Sequence, residues 1–253
     1  MSIILDGTSG INTPNTFAYK NLLIDAGFTI NQRAYVSGAV LAAGVYGHDR
    51  WKAGASGGDY SFTQSASNTQ ITIASGKSLI QVVEDKNVSG TSYVLSWTGT
   101  AQARYAVNSA TPAGSYAASP IVITGQTIGT TMSVEFNTGT LSKPQLELGE
   151  VATSFDQRAY SQELAMCQRY FELITGIRIT GYSAAGNGVT QTLSYVSKRA
   201  GPTFAIVVTG SYGNASSLGL INPGLSAGGL GITVTATGIG QAADWTISLS
   251  AEL

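Results

Sequence analysis

The chain has 253 residues, enough to bury the core of one large or two modest domains. Charged residues make up 11% of it, against roughly 25% in ordinary globular proteins, while hydrophobics reach 43%, glycines number 31 and the net charge is -1. That balance excludes disorder, which needs low hydrophobicity and high net charge. It also removes any electrostatic ground for binding nucleic acid or an anionic membrane, since neutralising phosphates takes clustered Lys and Arg.

Residues 1–20 set turn formers (Asp6-Gly7, Ser9-Gly10, Pro14-Asn15) between short apolar pieces and read as an extended attachment arm. The opening MSIILDGTSG has no basic region and an apolar run of only three, so it does not read as a signal peptide. No segment approaches the roughly eighteen apolar residues of a membrane span. From 21 to 158 the text is short strands separated by turn signals: 59–64, 69–74, 77–84, 92–98, 103–107, 120–124, 131–136 and 145–148. Their spacing is that of an all-β sandwich, with a jelly roll as the expected form. Within SYVLSWT, Tyr93, Leu95 and Trp97 share a core face, and Ser92, Val94 and Ser96 a half-solvated one. No charge occurs between Arg104 and Glu135, which suggests a face covered by a neighbour.

A joint follows at 143–175. Leu146 and Leu148 alternate with Glu147 as a strand, and then Tyr160, Leu164, Cys167, Phe171 and Ile174 fall at helical spacing, with Ser161 placed as an N-cap. The pair Tyr170-Phe171 favours a strand. The reading is one or two helical turns over 161–167 and a strand thereafter, with 168–174 open between helix and strand. Residues 159–253 form a second antiparallel β-sandwich from strands at 177–181, 189–196, 203–209, 231–237 and 245–253, separated by Gly/Asn/Ser/Pro loops. In TFAIVVT both faces are apolar, so both require cover. After Arg199 only Asp244 and Glu252 are charged, a surface too poor in charge for a free-standing monomer, so an oligomer is expected.

The words PQLELGEVATSFDQR and YSQELAMCQRYFEL at the joint, NLLIDAGFTINQRAY and HDRW (48–51) before it, and the final SAEL resemble bacteriophage tail-fibre and receptor-binding proteins. In these a carbohydrate-binding-like jelly roll leads into a C-terminal β tip domain. The resemblance implies a homotrimer, an arm docked on other virion structural proteins, and attachment to a host surface polysaccharide or lipopolysaccharide. It places the protein in the virion, assembled in the host cytoplasm. The alternative is a capsid or baseplate decoration or fibre with a purely structural role.

Chemistry finds little purchase. The single His48 and the single Cys167 have nothing in the sequence to join them as base and nucleophile, and Cys167 lies on an apolar stripe. One Cys also excludes an intrachain disulfide. One His and one Cys cannot make a zinc site. Jelly rolls of this type often carry calcium, and Asp25, Asp49 and Glu147 would offer oxygens, but no spacing singles them out. No enzyme activity and no cofactor are expected. Trp51, Trp97 and Trp245 fall on apolar faces and read as core. Glycan candidates are therefore loop groups: Tyr46 with His48, Tyr182 with Asn187, and Tyr212 with Asn214. Leu164, Cys167, Phe171, Ala205 and Val207 are the candidates for an oligomer interface.

Overall fold

The structure is a computed structural model that describes residues 20–253 and the backbone of 4–6 and 10–12. The chain forms two compact units: one of residues 1–29, 36–45 and 51–159, the other of 30–35, 46–50 and 160–253.

In the first unit β1 (Ile4–Asp6) pairs with β2 (Gly10–Asn12); the rest of the expected arm lies outside the described residues. Ten strands follow: β3 (Lys52–Ala53), β4 (Tyr60–Phe62), β5 (Ile71–Ile73), β6 (Leu79–Val83), β7 (Ser92–Thr98), β8 (Ala103–Ala106), β9 (Ala113–Ala117), β10 (Ile121–Thr124), β11 (Met132–Phe136) and β12 (Gly139–Leu148). They form two antiparallel sheets, β10-β7-β12-β5-β4 and β3-β6-β11-β8-β9. Counted from β5 to β12 as one to eight, the orders are 6-3-8-1 and 2-7-4-5, the topology of a jelly roll. Period-2 apolar positions fill the space between the sheets, where Trp51 stacks on Phe28 at 4.8 Å and meets Phe136 edge-on at 5.9 Å. The buried indoles keep partners: Trp51 Nε1 donates to Asp25 O at 2.9 Å and Trp97 Nε1 to Ala101 O at 2.8 Å. Gly99, at φ +132°, lets the turn after β7 press onto Thr140, whose carbonyl oxygen a Cβ would meet at 2.1 Å.

All eight strands expected in this region are present. Two more, β3 and β9, had weak signals: β3 is two residues long, and β9 (AGSYA) is a mostly exposed strand of small residues with no apolar alternation. The assignment of Val94 to a half-solvated face is corrected, since it is 1% exposed, while Ser92 and Ser96 remain partly open there.

In the second unit α1 (Tyr160–Gln168) runs into β13 (Phe171–Ser183). This resolves 168–174: Gln168 ends the helix, 169–170 form a turn and the strand begins at Phe171. Ser161 lies inside the helix rather than at its N-cap. Then come β14 (Gly188–Ser194), β15 (Thr203–Val208), β16 (Ser211–Gly213), β17 (Ala215–Ile221), β18 (Ala227–Val234) and β19 (Gly238–Ser250). One sheet is β13-β19-β15, with β16 also on β19, and the other is β14-β18-β17. Between them lies a core of Ile177, Ile179, Leu218, Leu230, Ile232, Ala242, Trp245 and Ile247. The stretch 210–229, expected as loop, holds β16, β17 and the start of β18. Leu218 and Leu220 alternate inward there, but Gly, Asn and Ser around them mask the pattern. The strand expected through Thr237 ends at Val234, where the chain turns a corner into β19.

Candidate functional site

The residues that chemistry singles out fall in four places. The first is a buried ionic cluster in the second unit, built from segments 30–35 and 46–50 with β13 and the end of the chain. Arg33 bridges Asp49 Oδ1 at 2.6 Å and Glu252 Oε1 at 2.9 Å, and Arg50 pairs with the other oxygen of Glu252. Gln32 donates from Nε2 to Asp49 Oδ2 at 3.0 Å and to Phe171 O at 2.9 Å. The Arg33 guanidinium lies 3.7 Å from the centre of the Phe171 ring, and that of Arg50 lies 3.7 Å from Tyr170. Burial, the largest influence, pushes the Asp49 carboxyl up to about 6 against the pull of Arg33 and Gln32.

Tyr46 belongs to this cluster. Its hydroxyl donates to Leu253 O at 2.7 Å, Arg33 covers its ring at 5.0 Å, and burial followed by the Glu252 charge pushes its phenol up to about 12. His48 beside it is fully buried. This loop therefore offers a ligand no open aromatic face with a free polar companion. Cys167 is likewise fully buried, so neither member of the imagined His48–Cys167 pair is open to a substrate.

The second place is the pair of tip loops. Tyr182 is 73% exposed and stands opposite Ile239, itself 67% exposed, so the two make an outward cross-strand pair. Asn187 is exposed at the turn before β14. Tyr212 packs 4.8 Å from Trp245, and its hydroxyl accepts from Leu218 N at 2.6 Å. The Asn214 side chain clamps the corner after β18: Oδ1 accepts from Ala236 N at 2.8 Å and Thr235 Oγ1 at 3.0 Å, while Nδ2 donates to Ala236 O at 2.7 Å. Asn214 is thus spent on the fold, and Tyr182 and Asn187 remain outward.

The third place is β15, an edge strand. Phe204 turns to the core, but Ala205 is exposed and Ile206, Val207 and Val208 are 42%, 53% and 52% exposed. The other interface candidates lie elsewhere. Leu164 is half-buried, Cys167 is fully buried and Phe171 is 9% exposed beneath Arg33.

The fourth place is one that sequence reasoning missed, the outer face of β14-β18-β17. It carries a shallow hollow of about 240 Å3 lined by Gly188, Thr190, Ser217, Gly219, Ile221 and Thr233 among others. The strand register explains it. Thr190, Gly231 and Gly219 lie in one row across the sheet, with Gly188 and Thr233 above and Thr192, Gly229 and Ile221 below. A β-bulge between Ser216 and Gly219, with Ser217 at φ +49°, takes Leu218 out of the ladder and onto the Tyr212 hydroxyl. The signal in the sequence was the set of glycines alternating with Leu230 and Ile232 in β18, read there as loop and strand start.

Elsewhere, Asp25 Oδ1 accepts from Thr29 N at 2.7 Å and Glu147 Oε1 from Thr153 N at 2.8 Å. Among the described residues no group of three or more His, Cys, Asp and Glu is placed to hold a metal ion, and no helix is long and apolar enough to cross a membrane.

The fold and these sites define an all-β protein with a jelly roll and a second β-sandwich. No family model matches the chain, and no curated protein matches it. Among solved structures, wild-type discoidin II from Dictyostelium discoideum is similar over 93% of this chain and 92% of its own, at 9% identity and a TM-score of 0.25, a likeness too slight to carry an argument.

Proposed function

We propose that this protein is a non-catalytic adhesion subunit of a virion: a homotrimeric bacteriophage tail fibre or tail tip that attaches to polysaccharide or lipopolysaccharide on the host surface. The observation that carries the reading is the exposed apolar edge of β15 on a unit whose last 54 residues hold two charges, one of them, Glu252, spent in the buried cluster. An edge of that kind pairs with other chains unless it is covered, and further copies of the same chain cover it without unpaired charge. Copies held together turn weak single contacts with a repeated glycan into firm attachment. The motifs QRAY, HDRW and QLELGEVATSF support the phage assignment, and the arm at 1–20 is assigned to docking on other virion proteins.

The test is competition. Host cells preincubated with purified protein are expected to adsorb fewer phage, and sizing is expected to give a trimer at micromolar concentration. Undiminished adsorption would move the chain to the capsid or baseplate as a structural decoration, and a stable monomer would remove the assembly argument.

A further inference from the structure

We infer that the hollow on the outer face of β14-β18-β17 is a binding site for a neutral glycan, one sugar ring deep. This rests on the adhesion reading and assigns it a place and a ligand chemistry. The three strands contain no Asp, Glu, Lys, Arg or His, so nothing at the site offsets an anionic or cationic ligand, and desolvating an unpaired charge there would be costly. What the site offers is hydroxyls and bare backbone. Ser217 Oγ donates to Thr233 Oγ1 at 3.1 Å on one rim, Thr190 stands on a second, and Ile221, 43% exposed, forms the opposite side. A sugar ring matches this division, with its C–H face against Ile221 and the Gly219 backbone and its hydroxyls toward Ser217, Thr233 and Thr190. The volume lies below the roughly 300–1,000 Å3 of pockets for drug-sized ligands, which fits a single ring of a longer chain lying across the surface.

The glycines shape the face in two ways. A Cβ on Gly231 would meet Ile221 Cδ1 at 2.6 Å, and one on Gly229 would meet Thr190 Cγ2 at 2.9 Å, so side chains from both edge strands lean over the central strand only because it has none there. Gly219 differs. A Cβ there meets no atom within 4 Å and its φ is outside the left-handed region, so the space above it is empty and a larger residue would fill the hollow without straining the fold.

The experiment measures retention of full-length protein on immobilised neutral polymers (dextran, mannan, galactan) and anionic ones (hyaluronate, heparin) at one ionic strength. At least one neutral polymer is expected to retain the protein and neither anionic one to do so. Gly219→Leu is expected to weaken retention tenfold or more and Thr190→Val by a smaller factor, both with the wild-type melting curve and sizing profile. Wild-type protein that no neutral polymer retains, or that prefers an anionic polymer, would overturn the inference. So would neutral binding untouched by both variants, or a Gly219→Leu protein altered in sizing alone, which would make the hollow a contact between copies. Each of these can coincide with protein that still blocks phage adsorption, in which case adhesion stands and only its assigned site and ligand fall.

Discussion

Asp49 shows how a single residue can be held in a state its own chemistry resists. Its side chain is fully buried and faces the Arg33 guanidinium, two N–H groups of Gln32 and, across Arg33, the Glu252 carboxylate. Burial outweighs the favourable partners, so its folded pKa of about 6 lies above the unfolded value of about 4. Between these values the folded chain binds more protons than the unfolded one, and stability contributed by this group falls as pH rises. The contribution is complete below about pH 4 and gone above about pH 6, and a shift of that size corresponds to at most about 3 kcal/mol. Urea midpoints from pH 4 to 6 are therefore expected to decline for the wild type relative to Asp49→Asn. A wild-type midpoint that climbs relative to the variant would mean that Arg33 outweighs burial. Nothing in HDRW announced this environment, because the partner Glu252 lies 219 residues from Arg33.

At the scale of elements, legibility followed the apolar pattern. Strands such as β7 and β11, with alternating Tyr, Leu, Trp, Met and Val, could be read because their side chains declare two faces. The strands β16 and β17 could not, because Ser and Gly on an outer face look like turn residues until a partner strand is known. The hollow lies on such strands, whereas the expectation for a glycan rested on aromatic faces and, with the three Trp read as core, fell on loop tyrosines. The edge strand β15 is apolar on both faces, and within the chain only Phe204 finds partial cover, with Ala205, Ile206, Val207 and Val208 left exposed. Its pairing with β19 shifts register between Ile206 and Val208, and Val207 there is 53% exposed. Val207→Lys places a charge where a paired copy would have to desolvate it, a cost of several kcal/mol, while the unpaired strand keeps it in water. The variant is expected to size as a monomer, with a dissociation constant raised tenfold or more and an unchanged far-UV spectrum. A Val207→Lys protein that assembles like the wild type would remove β15 from the interface. Phe171→Asp is a poorer probe, since Phe171 lies beneath Arg33 and its loss damages the unit itself.

On the scale of the whole chain, the second unit cannot be cut out at the joint. Its membership includes 30–35 and 46–50, which precede nearly all of the jelly roll in sequence. Those two segments supply both cations that neutralise Glu252 and the guanidinium planes over Tyr170 and Phe171. Removing the partners of a buried charge costs roughly 3–5 kcal/mol, and each lost stacking of a cation on an aromatic ring about 0.5–2 kcal/mol. Set against a typical domain stability of about 5–15 kcal/mol, these losses leave a fragment of residues 160–253 marginal or unfolded. The fragment is expected to lack the cooperative transition that the full chain shows, by near-UV circular dichroism on heating. Arg33→Ala with Arg50→Ala in the full chain is expected to reproduce most of that loss without any cut. A 160–253 fragment that melts cooperatively at the full-chain temperature would show that the ionic cluster is dispensable and that the β-sandwich core around Trp245 holds the unit by itself.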